Sequence, residues 1–241
     1  MVNAKMKGVE VYDMPRLYER LTGRIPVTHL SDRWLLYTPF QGINRNLYTL
    51  HIKRLLDMGL SLILFVASLP IAVITALMIK LDSPGPVLYR QSRVGMNGKV
   101  YELLKFRSMR VGAEADGAVW ARENDPRTTR VGSIIRKLRI DELPQIWNVL
   151  KGDMSFIGPR PERPEFVHML HEEVPYYSLR HSIKPGITGW AQINYPYGAS
   201  KEDALEKLQY DLYYIKNLTI VLELDIILRT IGVVLFGSGA R

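Results

Sequence analysis

"MGLSLILFVASLPIAVITALMI", Met58 to Ile79, carries no charged residue over 22 positions. As a straight helix it would measure roughly 33 Å, enough to cross the hydrocarbon core of a bilayer. The other reading is a buried core helix, but a domain of this size has little with which to surround so long an apolar rod. Insertion into a membrane is therefore expected. Pro70 stands near the middle of the block. It donates no backbone hydrogen bond and its ring presses on the preceding turn, so the helix should kink or break there. Ser68 is close enough to help satisfy the carbonyls that are freed. Lys53 and Arg54 precede the block, while Lys80, Arg90 and Arg93 follow it. Positive charge on both sides gives no orientation for a simple span. A helix bent at Pro70 that enters and leaves by the same leaflet keeps both basic flanks in the cytoplasm, and this re-entrant form is the preferred expectation.

The rest of the chain divides around that block. Residues 1–50 read as an N-terminal extension or linker. "YDMPRLYERLTGRIPVTHLSDRW" alternates short apolar runs with turn formers, which suits small helices and loops rather than a complete domain. Met1 to Gly8 is polar and no early apolar region follows, so no secretory leader is expected. Beyond the block, "GPVLYRQSRVGMNGKVYELLKFRSMR" reads as two strands around Asn97-Gly98, a dipeptide suited to a tight hairpin. "AEADGAVWARENDPRTTR" (113–130) is a polar loop. Helix is expected from about Val131 to Leu150 with an interruption near Asp141, then over Arg163 to Glu173 and Lys201 to Lys216. The last stretch, "LTIVLELDIILRTIGVVLF", is apolar but carries Glu223, Asp225 and Arg229. Those charges suit it to the membrane interface, or to packing on the first block, better than to a span. The expected fold is α+β and mainly helical: a re-entrant membrane helix at 51–82, then a domain at 83–241 with a small β-hairpin and interfacial amphipathic helices.

Composition narrows the chemistry. Of 241 residues, 47% are hydrophobic and 23% charged, ordinary for a folded protein. The absence of cysteine excludes disulfides, thiolate zinc sites and a cysteine nucleophile. A net charge of +8 points to an anionic partner: nucleic acid, a membrane surface or a phosphorylated substrate. With five histidines and no cysteine, a zinc centre is not expected, and His168-x-x-His171 reads as surface helix.

The polar residues that ask for a purpose lie in "RIDELPQIWNVLKGDMSFIGPRP", Arg139 to Pro161. Pro144 needs no donor in the first turn of a helix, so Asp141 reads as an N-cap with Glu142 in the turn it starts. As structure, this is a capped helix. As chemistry, a helix start favours phosphate and keeps Asp141 ionised, and a carboxylate beside a bound phosphate is a nucleophile for phosphorus. Glu142, pointing elsewhere, suits a hard divalent ion, Mg²⁺ or Mn²⁺. Attack on phosphorus also needs cations. Arg136, Lys137 and Arg139 lie just upstream, and Arg160 is braced by Pro159 and Pro161, a stiff setting for bidentate phosphate binding or simply a surface turn. Lys105 and Arg107 alternate along a strand and read equally as a shared site face or a solvated one. "KPGITGWAQIN" (184–194) is either a loop pressed against a ligand or a tight turn covered by Trp190. Asp211 lies in the aromatic-rich "DLYYIKN".

Taken together, the proline-interrupted apolar block, "KFRSM", "DELPQIWNVLKGDMSFIGPRP", "KPGITGWAQIN" and "DLYYIKN", in this order, resemble the bacterial sugar transferase family, the monotopic phosphoglycosyl transferases. The resemblance runs from about Lys53 to the C-terminus. It implies a two-step reaction at the cytoplasmic face of the bacterial inner membrane. A carboxylate matching Asp141 takes a phosphosugar from a UDP-sugar and releases UMP; polyprenyl (undecaprenyl) phosphate then takes the phosphosugar, the first membrane step of polysaccharide assembly. It further implies Mg²⁺ on Glu142, and Arg136, Arg160, Lys105 and Asp211 in the active-site shell. The family breaks its membrane helix at a Ser-Pro pair, whereas here Leu69 separates Ser68 from Pro70. "VEVYDMPRLYERLTGRIP" resembles the segment before the catalytic domain in longer members, so a truncation of one is expected. The expected partners are UDP-sugar, polyprenyl phosphate and membrane lipid, with no nucleic acid and with a homodimer as one state. The rival readings are a membrane-associated glycosyltransferase releasing UDP, a basic nucleic-acid binder and a non-catalytic membrane scaffold.

Overall fold

The computed structural model describes residues 6–8, 10, 12–44, 46–113, 125–196, 198 and 200–236. Two short helices come first, α1 (Met14–Thr22) and α2 (Asp32–Tyr37). Each has a side-chain cap: Asp13 accepts from Arg16 N and Ser31 from Trp34 N. A turn of π-type at Tyr48–Ile52 leads into α3 (Lys53–Asp82), the one helix among the described residues long and apolar enough to cross a membrane. The helix does not break at Pro70 but runs through it as a single 30-residue element, so of the kink or break expected there only a kink within continuous helix is compatible. Proline removes one hydrogen bond, to the Val66 carbonyl four residues back, and its neighbours' bonds carry the helix across. Ser68 does not cover that carbonyl; its hydroxyl donates to Phe65 O at 3.1 Å.

One stripe of α3 faces protein. Asp57, Ser61, Thr75 and Ile79 are buried at helical spacing, with the half-buried Phe65, Ser68 and Ala72 between them on the same side. The other faces, with Leu62, Ile63, Val66, Val73, Ile74 and Leu77, are exposed. Both ends are tied to the same body. At the start, Lys53 pairs with Glu223 and donates to Ile157 O at 3.2 Å. Arg54 donates to Val149 O and Leu150 O at 2.6 and 2.8 Å, and Asp57 accepts from Ser155 Oγ and Phe156 N, both at 3.0 Å. At the other end, Asp82 accepts from Val131 N at 3.0 Å and Ile79 packs with Phe106 and Ile135.

The expected hairpin follows as β1 (Leu88–Val94) and β2 (Val100–Phe106), antiparallel from Leu88 opposite Phe106 to Val94 opposite Val100. Asn97 and Gly98 sit at its turn with φ of 56° and 75°, in a connection from Gly95 to Lys99 that is longer than a two-residue loop. The polar loop after Ala113 lies, through position 124, outside the described residues. Then come α4 (Arg130–Lys137), a 3₁₀ turn at Ile140–Glu142, α5 (Gln145–Lys151), β3 (Ser155–Ile157), α6 (Pro164–Glu173), a second 3₁₀ stretch at Tyr177–Ser182, β4 (Gly186–Thr188), α7 (Trp190–Asn194), α8 (Lys201–Lys216) and α9 (Ile220–Phe236). Strands β3 and β4 pair in parallel, Ser155 with Gly186 and Ile157 with Thr188. They are too short to show alternation in the sequence.

The main core gathers Ile157, Leu170, Tyr177, Leu208, Leu212, Ile215 and Ile226 together with Ile25, Val27 and Phe40. The first fifty residues thus supply one wall of this core. Ile25 N donates to Gln209 O at 3.1 Å and Gly42 N to Ile215 O at 2.8 Å. Helix α9 reaches the residues just ahead of the apolar block through buried Glu223, which holds Tyr48, Lys53 and Tyr214. A second cluster, Ile79, Phe106 and Ile135, joins α3, β2 and α4, and Ile140 and Leu143 pack against it. That cluster seats the 3₁₀ turn carrying the acid pair.

Candidate active site

After α4 the chain turns through Arg139, whose backbone is left-handed at φ 58°. This changes the expected role of Asp141. The residue lies inside the 3₁₀ turn rather than at an N-cap, and α5 begins only at Gln145, behind Pro144, with no side-chain cap. A residue already in helical backbone cannot direct its carboxylate forward to the first free N–H groups. The Asp141 carboxylate is left for other use. Side chains in a 3₁₀ turn diverge by about 120° per residue, so Asp141 and Glu142 point different ways.

Glu142 turns to cations. Its Oε1 lies 2.8 Å from Arg160 Nη2, 3.4 Å from Lys105 Nζ and 4.0 Å from Arg139 Nη1. Burial alone would raise its pKa, but the charges of Arg160 and Lys105, with the Arg160 hydrogen bond, outweigh burial and hold the carboxyl well below the ordinary range. Asp141, buried at 8% exposure, has no hydrogen bond or ion pair among the described residues. Burial pushes its pKa up; Lys105, Arg136 and Arg160 pull it back without cancelling the rise, and Glu142 adds to it. Cations, rather than a helix dipole, favour its ionised form. Lys105 in turn has its pKa lowered by burial, against the pull of Glu142.

Arg160 is held by its own main chain. Its carbonyl accepts from Arg180 Nη2 at 2.9 Å, and the next carbonyl, Pro161 O, accepts from Arg93 Nη1 at 2.8 Å. On the other side Gly158 N donates to Thr188 O and Gly186 N to Pro159 O, both at 2.9 Å. "KPGITG" therefore presses its backbone on the backbone that carries Arg160. A Cβ on Gly158 or Gly186 would run into the facing main chain, which is why both are glycine. From sequence Arg93 was read only as a flank of the apolar block and Arg180 not at all; the flagged Asp211 was the one signal leading to Arg180.

Among the described residues no three carboxylate or imidazole side chains converge, so none form a cage that holds a metal by protein alone. The donors present, two successive carboxylates with one unengaged and one paired through Oε1, are oxygen only, the set that suits a hard divalent ion.

The bacterial sugar transferase family model matches residues 48–237. The chain belongs to that family. A UDP-N-acetylgalactosamine-undecaprenyl-phosphate N-acetylgalactosaminephosphotransferase of Aeromonas hydrophila is 44% identical, across 100% of this chain and 56% of its own length. A UDP-glucose:undecaprenyl-phosphate glucose-1-phosphate transferase of Escherichia coli (strain K12) is 40% identical, over 92% of this chain and 47% of its own. The chain spans about half the length of these two curated relatives. The exopolysaccharide production protein PSS of Rhizobium leguminosarum bv. phaseoli is 43% identical over 75% of this chain and 93% of its own length.

Within this family member the remaining expected site residues separate. Arg136, in the last turn of α4, donates to Thr128 Oγ1 at 3.2 Å and lies within electrostatic reach of Asp141. Arg107 is engaged elsewhere. It donates to Pro84 O at 2.5 Å and to Ser83 O and Oγ at 2.8 and 3.0 Å, clamping the loop after α3. Its alternation with Lys105 does not carry it to the site, because β2 ends at Phe106. Asp211, 2% exposed, pairs with Arg180 at 2.8 Å and acts on Arg160 only through that partner. Burial pushes its pKa up to about 6 despite Arg180.

Proposed function

We propose that this chain transfers a sugar-1-phosphate from a UDP-sugar to undecaprenyl phosphate, releasing UMP. The observation that carries the reading is the buried, unengaged Asp141 carboxylate beside a Glu142 that Arg160 and Lys105 hold ionised. A site that only bound anions would gain nothing from a buried carboxylate without a partner. The relatives' names, which specify undecaprenyl phosphate and a nucleotide sugar, supply the substrate class.

In the first step an Asp141 oxygen attacks the β-phosphorus, and the bond from that phosphorus to the bridging oxygen breaks. UMP leaves with the bridging oxygen and its electron pair, and the phosphosugar stays on Asp141. In the second step a phosphate oxygen of undecaprenyl phosphate attacks the same phosphorus and returns the carboxylate. Arg160, Lys105 and Arg136 offset the charge on the phosphoryl oxygens. Glu142 would hold a divalent ion, Mg²⁺ or Mn²⁺, whose positive charge would offset the negative charge developing on the leaving group.

The reading also places α3 in the cytoplasmic leaflet of the inner membrane, re-entrant, with the catalytic body on the cytoplasmic side. Support comes from the two ends of α3, both of which bond to one body. A simple span would carry one end away across the bilayer.

The test is nucleotide release by detergent-solubilised protein given UDP-sugars, Mg²⁺ and undecaprenyl phosphate, beside Asp141→Ala. UMP that vanishes in the variant is the expected result. UDP would mean that a glycosidic bond is made and would overturn the assignment of Asp141.

A further inference from the structure

The segment ahead of the family match holds an arrangement that the proposed chemistry leaves unused. Helix α1 is amphipathic, yet the residue it buries is Glu19, which pairs with Lys216 and accepts from Asn217 Nδ2 at 2.7 Å. Its apolar side chains go elsewhere. Met14, Leu17 and Leu21 fall on one stripe at i, i+3 and i+7, and they are 51%, 46% and 76% exposed. Arg16 and Arg20 lie along one side of this stripe, both exposed and both over the Tyr12 ring, with Arg20 also 3.3 Å from Glu10. Helix α2 has the same character: Trp34 and Leu35 turn toward the core, while Leu36 and Tyr37 are 81% and 80% exposed. Large apolar side chains held outward on two successive helices, with arginines alongside, mark a surface made to be covered.

Its place in the fold indicates the cover. Both helices are anchored where α8 gives way to α9. Lys216 lies over the Trp34 ring at 5.5 Å. Trp190 Nε1 donates to Gly23 O, just past α1, at 2.9 Å, while the Trp190 ring stacks on Tyr213 and receives Arg229 of α9 at 5.3 Å. Immediately beyond that junction α9 exposes Ile220 and Val221. Its Glu223 holds Lys53 at the start of α3, where Leu55 and Leu56 are exposed in turn. Helices α1 and α2 are thus attached at the junction from which α9 starts and to which Glu223 ties the start of α3, and each of the four carries outward apolar side chains.

We propose that Met14–Tyr37 is a second membrane contact, lying in the headgroup layer with Leu17, Leu21, Leu36 and Tyr37 in lipid and Arg16 and Arg20 against anionic headgroups. It rests on the membrane placement of α3 given above. A body held by α3 alone is free to rock about that helix; a contact on the main-core side opposes the rocking and keeps Asp141 at headgroup depth, where a lipid phosphate is found.

The absence of cysteine allows a direct test. Single Leu21→Cys and Leu36→Cys variants of the full chain carry a polarity-sensitive fluorophore in nanodiscs of phosphatidylcholine with phosphatidylglycerol, and spin-labelled lipid is the quencher. Leu64→Cys on α3 and Glu172→Cys on α6 serve as references. Blue-shifted, lipid-quenched emission at positions 21 and 36, weakened in phosphatidylcholine alone, is expected. Quenching at 64 but not at 21 and 36 would overturn the second contact while leaving the placement of α3 intact. No quenching at any position would remove the membrane placement itself. Concentration-dependent energy transfer between labelled copies, without lipid quenching, would show a second copy of the chain on this surface and would also overturn the proposal.

Discussion

Two carboxylates of this molecule are buried to a similar degree in opposite surroundings. Glu223, at the base of α3, is held by Lys53, Tyr48 and Tyr214. Asp141, at the other end of the same helix's contact with the body, is buried to a similar degree and has no partner among the described residues. A carboxylate that holds a fold together has its lone pairs occupied, whereas one meant to attack phosphorus must keep them free and rely on charges at a distance. Burial raises the energy of the Asp141 anion, and Lys105, Arg136 and Arg160 lower it without a hydrogen bond to its oxygens.

That contrast makes its sharpest prediction at Asp141 itself. Asp141→Asn should lower phosphosugar transfer by at least about 10³-fold. Thermal unfolding should be unchanged or shifted upward, because an unpaired buried charge has gone. Activity retained together with lost stability would put Asp141 in the structural class. Glu223→Ala should show the converse. It leaves Lys53 buried without its partner, at a cost of roughly 3–5 kcal/mol in denaturant unfolding. The fraction that stays folded should turn over normally, and a catalytic defect at full folding would contradict the division.

Between these extremes stands the pair Asp211–Arg180, structural in contact and functional in effect. Arg180→Lys loses the fork that holds Asp211, Tyr177 and the Arg160 carbonyl together. The KM for the UDP-sugar should rise by about 10- to 100-fold, with a smaller change in kcat. A fall in kcat with KM unchanged would argue that Arg160 does not depend on this brace. The smallest effect concerns pH. Lys105 pulls the Asp141 pKa down, so Lys105→Met should raise it further. In the proposed reaction Asp141 acts as the anion, so the acid limb of the pH–activity profile should move to higher pH; a limb that stays in place would separate Lys105 from the proposed nucleophile.

The apolar block, the hairpin at Asn97-Gly98, the acid pair and the proline-braced Arg160 were all legible in the sequence, because each depends on neighbours within a few positions. Other residues were legible only as types. Lys53 and Arg54 read as flanking charges of a membrane helix, yet both donate to carbonyls of the body, Arg54 to the C-terminal end of α5. Arg107 read as a candidate phosphate ligand and instead clamps the loop after α3. Long cationic side chains reach in any direction from their backbone, so their spacing along the chain says little about which acceptor they find.

Hydrophobic periodicity, turn chemistry and the order of motifs are local, and local information was enough to point to the family, the helical character and the acid pair proposed here as the reactive centre. The partners of those acids were a different matter. That Glu142 is saturated with cations and Asp141 left open follows from one left-handed residue, Arg139, and from where β2 and the Arg160 loop arrive against it. Those are contacts between segments far apart in the chain, and their energies exist only once the core under Ile140 and Leu143 has brought the segments together.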